Sequence, residues 1–241
     1  MKLYKFFLVA IVVFAFSGMA WSQDSTYFSE SMGMGDFMVG MNMLDLGDLN
    51  NSLAAQGYTE MDESFFAIGG GGYGIFKNII IGGEGTGIMT KSESSGALKT
   101  SLAGGYGLFN LGYAVVSSHN FKLYPLIGFG YGGMQLKIKD TSSIPAFDEL
   151  LENPRTMSEL NTDGFLFNVA LGADFLQIMG RDEDGEGGIV IGARVGYMIS
   201  PFMNDWKLDD ADIGGGPDTG LTGFYFRLIF GGGGRAKVKS E

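Results

Sequence analysis

The clearest pattern in the chain is the alternation of apolar residues with small or polar ones in the segment 165–175, FLFNVALGADF. One face of this segment is apolar, and the other carries Asn168 and Asp174. A period of two residues predicts a β-strand. In a soluble sandwich the apolar face would point inward, whereas in a membrane barrel it would meet lipid and the polar face would line the lumen. The rest of the chain has to decide between these two orientations.

Seven further segments are predicted to be strands, which gives an even total of eight. The eight predicted strands are 36–44, 64–76, 79–91, 98–116, 122–139, 164–179, 188–199 and 220–230. We therefore predict an all-β fold, an up-and-down antiparallel transmembrane β-barrel. This prediction depends on how the connections are distributed between the two ends.

The connections alternate in length along the chain. Those after the second, fourth and sixth strands are short, whereas those after the first, fifth and seventh are long and the one after the third is intermediate. Outer-membrane barrels have short periplasmic turns and longer external loops. Short helices are predicted in two of the long loops, at 45–57 and 145–153. They are expected either to pack as part of the loop or to form a lid over a ligand pocket.

The amino-terminal residues 1–22 have the three parts of a cleaved secretory signal: a basic start, an apolar run at 6–16 and the small residues Ala20 and Ser22. No later segment is long enough for a membrane helix, so a spanning protein would have to be a barrel. We assign 23–230 to that barrel and 231–241, which is rich in glycine and then basic, to a flexible tail. The chain contains no cysteine.

The charge and the chemistry-bearing residues exclude several functions. A formal net charge of −11 argues against nucleic acid as a partner. The single histidine, His119, lies in a tight turn beside Ser117 and Ser118, where a nucleophile and its base are rarely in line. Neither acidic run, at 182–184 or at 209–212, has the spacing of a calcium loop. We therefore expect no enzyme, no cofactor and no metal site.

Four charged residues fall on the strand faces opposite the apolar ones: Glu84, Asp174, Arg194 and Arg227. In a membrane barrel they would point into the lumen, where each would need a partner. A hairpin symmetric about Asp184 places Asp174 opposite Arg194. The set is expected to be a salt-bridge network that fills a narrow lumen, or alternatively an ion path.

Glycine in the strands supports two interpretations. Gly128, Gly130 and Gly132 share the face opposite Ile127 and Phe129, and Tyr225 shares the polar face of the last strand. Glycine in strands marks sharp curvature or close approach of another group. Alternatively, these residues line a bare part of the lumen wall, with room for water, a packed loop or an apolar ligand.

Taken together, these features resemble the small eight-stranded bacterial outer-membrane β-barrels, the porin-type class of outer membrane proteins A, X and W. The aromatic last strand, GFYFRLIF at 223–230, is similar to the insertion signal of that class, although here a tail follows it. The resemblance implies the outer membrane of a Gram-negative cell envelope. It also implies outer-membrane lipid and the barrel-assembly machinery as partners.

We expect a non-catalytic outer-membrane barrel with a structural or surface-interaction role. The first alternative is binding or passage of a small hydrophobic molecule through the lumen. The second alternative is a soluble periplasmic lipid-binding barrel, which would not require detergent.

Overall fold

The chain folds into eight long strands. The computed structural model describes residues 31–142, 146–152, 157–182, 185–208 and 211–236, so the predicted signal peptide lies outside the described residues. The strands are β1 Ser31–Leu44, β2 Ser64–Phe76, β3 Ile79–Ser95, β4 Leu98–Tyr113, β5 Phe121–Asp140, β6 Met157–Arg181, β7 Gly185–Met203 and β8 Gly223–Ala236.

The eight strands form a closed antiparallel ring. Each strand pairs with the next one in sequence. The last strand pairs with the first, from Ser31 opposite Ala236 to Leu44 opposite Gly223. Closure leaves no long strand with an unpaired edge, which is the requirement for a sheet that crosses a membrane. The predicted eight-stranded up-and-down barrel is confirmed.

Several strands are longer than predicted. The structure starts β1 at Ser31 and β6 at Met157, and it continues β8 to Ala236. The flexible tail predicted from residue 231 is therefore wrong for 231–236, since these residues pair with β1 and β7. The GGGG run at 231–234 has no alternation of side chains, so the period of two is invisible there. Residues 237–241 lie outside the described residues.

Two short helices occur in the long connections, near where they are predicted. The first, α1, is Gly47–Ala55, and the second, α2, is Phe147–Glu152. Short two-residue strands, Lys207–Leu208 and Ala211–Asp212, extend the wall beside β6 beyond the end of β7. Among the described residues, no helix has the length and apolar character to cross a membrane.

Large apolar side chains point outward all around the barrel. In the segment 165–175, Phe165 is 61% exposed and Phe167 48%, whereas Asn168 and Asp174 are each 2% exposed. Other outward aromatic residues on five of the remaining strands are Phe37, Phe66, Phe109, Phe129, Phe224, Phe226 and Phe230. The alternation therefore has the orientation of a membrane barrel, with the apolar face outside.

The interior consists of three layers. One apolar cluster fills the lumen at the end with the long loops, and a second apolar cluster fills it at the end with the short turns. Between them lies a layer of buried polar and charged residues, which includes Glu84, Asp174, Arg194 and Arg227.

Candidate functional site

The mouth of the barrel at the long-loop end is closed by α1 and the segment before it. Leu46, Leu49 and Leu53 are 0–5% exposed and pack in the same cluster as Phe65 and Leu102 of the barrel wall. The connection after β7 contributes Trp206 and Leu221 to this cluster, and the Trp206 indole donates a hydrogen bond to the carbonyl of Pro217 at 2.9 Å. A nine-residue helix is not stable alone in water, so its apolar face forms because the barrel mouth buries it.

Below this plug, an ion pair crosses the lumen from β7 to β3. Arg194 donates a hydrogen bond to the Glu84 carboxylate, and both side chains are 4% exposed. The Asn110 amide donates to the same carboxylate at 3.0 Å. Each charge is therefore partnered in a dry environment, as a buried ion pair requires.

The carboxylate of Asp174 is held by two tyrosines rather than by an arginine. The hydroxyls of Tyr73 and Tyr124 both donate to its Oδ2 atom, the second at 2.5 Å. The prediction that Asp174 lies opposite Arg194 is wrong: Asp174 faces Gly192, and Arg194 faces Gly172. Arg181 pairs with Glu186, which already offsets the pairing by one residue from symmetry about Asp184, and a register irregularity between Ile178 and Gly180 adds a second residue.

The fourth predicted lumen charge, Arg227 of β8, is 1% exposed and binds neutral groups. Its guanidinium donates to Asn42, to the Tyr106 hydroxyl at 2.8 Å and to the Met41 carbonyl at 3.1 Å. It also lies 4.9 Å from the ring centre of Tyr225, a cation–π distance. All four predicted charges thus face the interior, but only Glu84 and Arg194 form an ion pair with each other.

The glycines predicted to line the lumen do not leave an open space. A side chain on Gly128 would overlap Asn110, one on Gly130 would overlap the backbone of Gly107, and one on Gly132 would come within 2.6 Å of Tyr106. The close-approach interpretation is therefore the right one, and the bare wall is wrong. Tyr225 is buried among these groups. The cavity beside Glu84 and Arg194 has a volume of about 10 Å³, close to the space of one water.

At the short-turn end, a charged cluster links a turn to the end of the last strand. Arg235 of β8 donates to the carbonyl of His119 at 2.7 Å and to the Glu186 carboxylate, while Arg181 contacts Glu186 at 2.6 Å. The hydrogen bond from Arg235 is the main cause that holds the pKa of Glu186 below its ordinary value. His119 therefore contacts charged residues of this cluster.

The two serines that precede His119 in the sequence hydrogen-bond to other residues. Ser117 accepts a hydrogen bond from Lys122 at 2.6 Å, and Ser118 bonds the backbone of Phe121. In the described part of the chain, no group of three or more His, Asp or Glu residues is placed to hold a metal ion. The acidic runs at 182–184 and 209–212 lie partly outside the described residues.

Sequence reasoning missed the neutral partners of these charges. Asn42, Tyr73, Asn110 and Tyr124 all lie on inward faces of strands, but nothing in a period of two says which inward residues meet across a lumen. Sequence reasoning also missed Glu186 and Arg235 at the short-turn end, whose pairing depends on the unexpected extension of β8.

The long-loop end is acidic. The connection between β1 and β2 contains Asp45, Asp48, Glu60, Asp62 and Glu63 and no basic residue. Asp62 accepts a hydrogen bond from Lys91 of β3 at 2.5 Å, and this bond lowers the pKa of Asp62 below its ordinary value. A backbone hydrogen bond from Ser142 lowers the pKa of Asp140 in the same way.

On the outer wall, just below this end, lies a groove with a volume of about 410 Å³. We call it the outer groove. Its floor includes Ala103 and Gly133, and its polar sides are Gln135, Asn161, Asp163, Asp205 and Lys207. Asn204 donates to Asp163 at 2.6 Å and to the hydroxyl of Tyr131 at 3.1 Å, which fixes the lower edge. Lys207 lies 3.9 Å from Asp212.

Several solved structures are similar to this chain. Ail, the attachment invasion locus protein of Yersinia pestis, in complex with the heparin analogue sucrose octasulfate, is 10% identical with a TM-score of 0.42, and the match covers 86% of this chain and 97% of Ail. Neisserial surface protein A is 9% identical with a TM-score of 0.30, and the match covers 87% of this chain and 97% of that one.

The outer membrane protease OmpT from Escherichia coli is 10% identical with a TM-score of 0.30, and the match covers 90% of this chain and 99% of OmpT. No protein-family model and no curated protein matches the sequence. These three identities are below 25% and these TM-scores are below 0.5, so the likenesses carry no argument about the function of this chain.

Proposed function

We propose that this chain is a sealed, non-catalytic transmembrane barrel of the outer membrane, whose role is structural or in interactions at the cell surface. The observation that carries this proposal is the contrast between the two faces of the wall. Large apolar side chains are exposed around the outside, while the inside is filled from the plug at α1 to the cluster at Arg235. Water would solvate such an exterior poorly, whereas lipid suits it.

This contrast disfavours both alternatives. Passage of a small hydrophobic molecule needs a continuous lumen, but the cavity in the charged layer has a volume of only about 10 Å³ and α1 covers the mouth. A soluble lipid-binding barrel would have its apolar residues inside rather than outside. The acidic loop between β1 and β2 disfavours a polyanion as the surface partner and favours a cationic one.

The first test asks whether the barrel is a membrane protein. The mature chain is expressed with an envelope signal, extracted with detergent and run on gels with and without boiling. We expect it to require detergent and the unboiled form to migrate differently from the boiled form, because a closed barrel resists unfolding in the gel. A chain that stays monomeric in buffer without detergent would overturn the proposal.

The second test asks whether the barrel is sealed, by recording currents across planar bilayers. The wild-type protein should give no stepwise conductance. A variant in which 47–57 is replaced by a short Gly-Ser linker should also give no conductance, because the charged layer and the apolar cluster at the short-turn end still fill the lumen, and Asn51→Ala, an exposed change on α1, is the matched control. Regular conductance steps from the wild-type protein would contradict a sealed lumen.

A further inference from the structure

Part of the barrel wall rises above the rest at the long-loop end. The last pair between β2 and β3 joins Ala67 to Ile88, and the last pair between β6 and β7 joins Gly164 to Met203. Beyond these pairs, β3 to β6 continue as a four-stranded sheet. We call this part of the sheet the raised wall; it comprises 89–95, 98–103, 135–140 and 157–163.

The two sides of the raised wall differ in chemistry. The side toward the plug is apolar, since Leu102 and Leu136 belong to the cluster at the long-loop end and Ile138 and Leu160 pack against it. The outward side is polar and carries Ser92, Ser94, Lys99, Ser101, Gln135, Lys137, Lys139, Glu159 and Asn161. Three lysines against one carboxylate give this side a net positive charge, in a chain whose formal net charge is −11.

Two of these lysines face each other without an anionic partner. Lys99 of β4 is directly opposite Lys139 of β5, and both are exposed. Lys137 differs, because its ammonium lies 3.2 Å from the Glu159 carboxylate. In the part of the chain that the structure describes, no carboxylate forms an ion pair with Lys99 or Lys139. Like charges directly opposite each other on neighbouring strands destabilise a sheet, so the fold alone does not explain this pair.

The lysines lie above the apolar band of the wall. On β5 the last large apolar side chain that points outward before the long-loop end is Tyr131. Lys137 follows Tyr131 by six residues. At ~3.3 Å per residue and a strand tilt of ~40°, Lys137 is ~15 Å above Tyr131 along the barrel axis. The headgroup region on each side of a bilayer is only ~6 Å thick, so the lysines stand at the height of sugars attached to a lipid.

We propose that the outward side of the raised wall binds the anionic core sugars of lipopolysaccharide, the phosphorylated glycolipid of the outer leaflet. A phosphate or carboxylate of the core lies between the ammonium groups of Lys99 and Lys139 and removes their mutual repulsion. The hydroxyl of Ser94, opposite Lys99 on the other side, is placed to donate a hydrogen bond to the same sugars. Basic clusters next to a membrane bind anionic lipid in this way.

The direction of approach favours a lipid over a soluble polyanion. The acidic connection between β1 and β2 belongs to the plug and repels polyanions that approach the mouth from outside. A glycolipid anchored beside the barrel meets the outward side of the raised wall instead. This inference rests on the proposed function, because only an outer-membrane barrel with its long loops outside the cell meets lipopolysaccharide.

The test measures binding of lipopolysaccharide to the full-length protein in mild detergent by native mass spectrometry. One probe carries the complete phosphorylated core, and the other is lipid A, which lacks the core. The variant Lys99→Gln, Lys139→Gln should bind the core-bearing glycolipid about tenfold more weakly than wild type. Both proteins should bind lipid A equally, because the lysines lie above it. High salt should reduce the difference between the two proteins, since it screens exposed charges.

Two further variants are the controls. Asn51→Asp, Ala54→Glu changes exposed positions on α1 and lowers the net charge by the same amount on the plug side, so it should bind as wild type does. Lys99→Arg, Lys139→Arg keeps both charges and should also bind normally. The unfolding temperature of the glutamine variant should not fall, because that change removes a repulsion.

Three outcomes would overturn the inference. The first is equal affinity of wild type and the glutamine variant for the core-bearing glycolipid, and the second is an equal loss in the plug-side control. The third is that dextran sulfate, a soluble polyanion, binds the wild-type lysines as tightly as the glycolipid does, which would assign the site to a soluble partner. In each case the barrel would still need detergent, so the proposed function would stand; a detergent-free monomer would overturn both.

Discussion

At the scale of single residues, the interior follows the chemistry of buried charge. Glu84 and Arg194 neutralise each other across the lumen. Asp174 accepts hydrogen bonds from two tyrosine hydroxyls through one oxygen, and Arg227 donates to a hydroxyl, a side-chain amide and a backbone carbonyl. Removing one member of a buried pair leaves the other charge without a partner, which costs far more than removing both. The partners of each charge, rather than its position in the sequence, therefore decide how a substitution behaves.

A double-mutant cycle tests this pairing. Glu84→Gln or Arg194→Met alone should destabilise the barrel by about 3–5 kcal/mol, and the two together should cost less than their sum. The measurement is equilibrium urea unfolding in detergent or lipid vesicles. The control cycle combines Arg194→Met with Asp174→Asn, which should show the smaller coupling. Additive losses for Glu84 and Arg194 would contradict the ion pair.

At the scale of elements, α1 is held by burial rather than by its own propensity. Its N-cap residue, Leu46, makes no capping hydrogen bond through its side chain, and the leucines of the helix contact barrel residues instead. Leu49→Ala should lower the free energy of unfolding by about 2–5 kcal/mol, the cost of a buried leucine, if the plug unfolds together with the barrel. Asn51→Ala, exposed on the same helix, should change it little. If Leu49→Ala made the loop more sensitive to proteolysis without changing the free energy of unfolding, the plug would unfold separately from the barrel.

The charged cluster at the short-turn end makes the stability of the barrel depend on pH. The pKa of Glu186 is lowered in the folded barrel from an ordinary value of 4.5, chiefly by Arg235. Its contribution is therefore complete above pH 4.5 and is lost as the pH falls through the folded value. Thermal unfolding in detergent between pH 7 and pH 3 should show a steeper loss for wild type than for Glu186→Gln. If the unfolding temperature fell equally with pH in both proteins, the ionisation of Glu186 would not contribute to the stability of the barrel.

At the scale of the whole molecule, the sequence predicts which way each strand faces better than it predicts which residues meet. The period of two correctly orients Phe165 and Asp174, and the loop lengths separate the two ends. Pairing across the hairpin is missed because the pairing of Arg181 with Glu186 is already one residue from symmetry about Asp184 and the irregularity near Gly180 adds another. The end of β8 is missed because GGGG at 231–234 has no pattern. The site needs the closed ring, since Glu84 and Arg194 are 110 residues apart.

The sidedness of the molecule is open to a direct experiment. A chain that enters from the periplasm and crosses eight times ends there, so the long loops should face outward. The sequence has no cysteine, and both Ser94 and Ser118 are exposed. A membrane-impermeant maleimide should label Ser94→Cys but not Ser118→Cys in intact cells, and both after lysis. The reverse pattern in intact cells would mean that the barrel has the opposite orientation.

The pairing of the first strand with the last also sets the timing of biogenesis. Arg227 of β8 binds Met41 and Asn42 of β1, so these two residues of β1 lack this partner until the final strand has been synthesised and exported. Before that moment the sheet has two open edges, and hydrocarbon cannot satisfy their backbone N–H and C=O groups. Integration into the bilayer therefore has to wait for a complete chain. Deletion of β8 should therefore give a polypeptide that does not enter the bilayer and is degraded by proteases, rather than a smaller barrel.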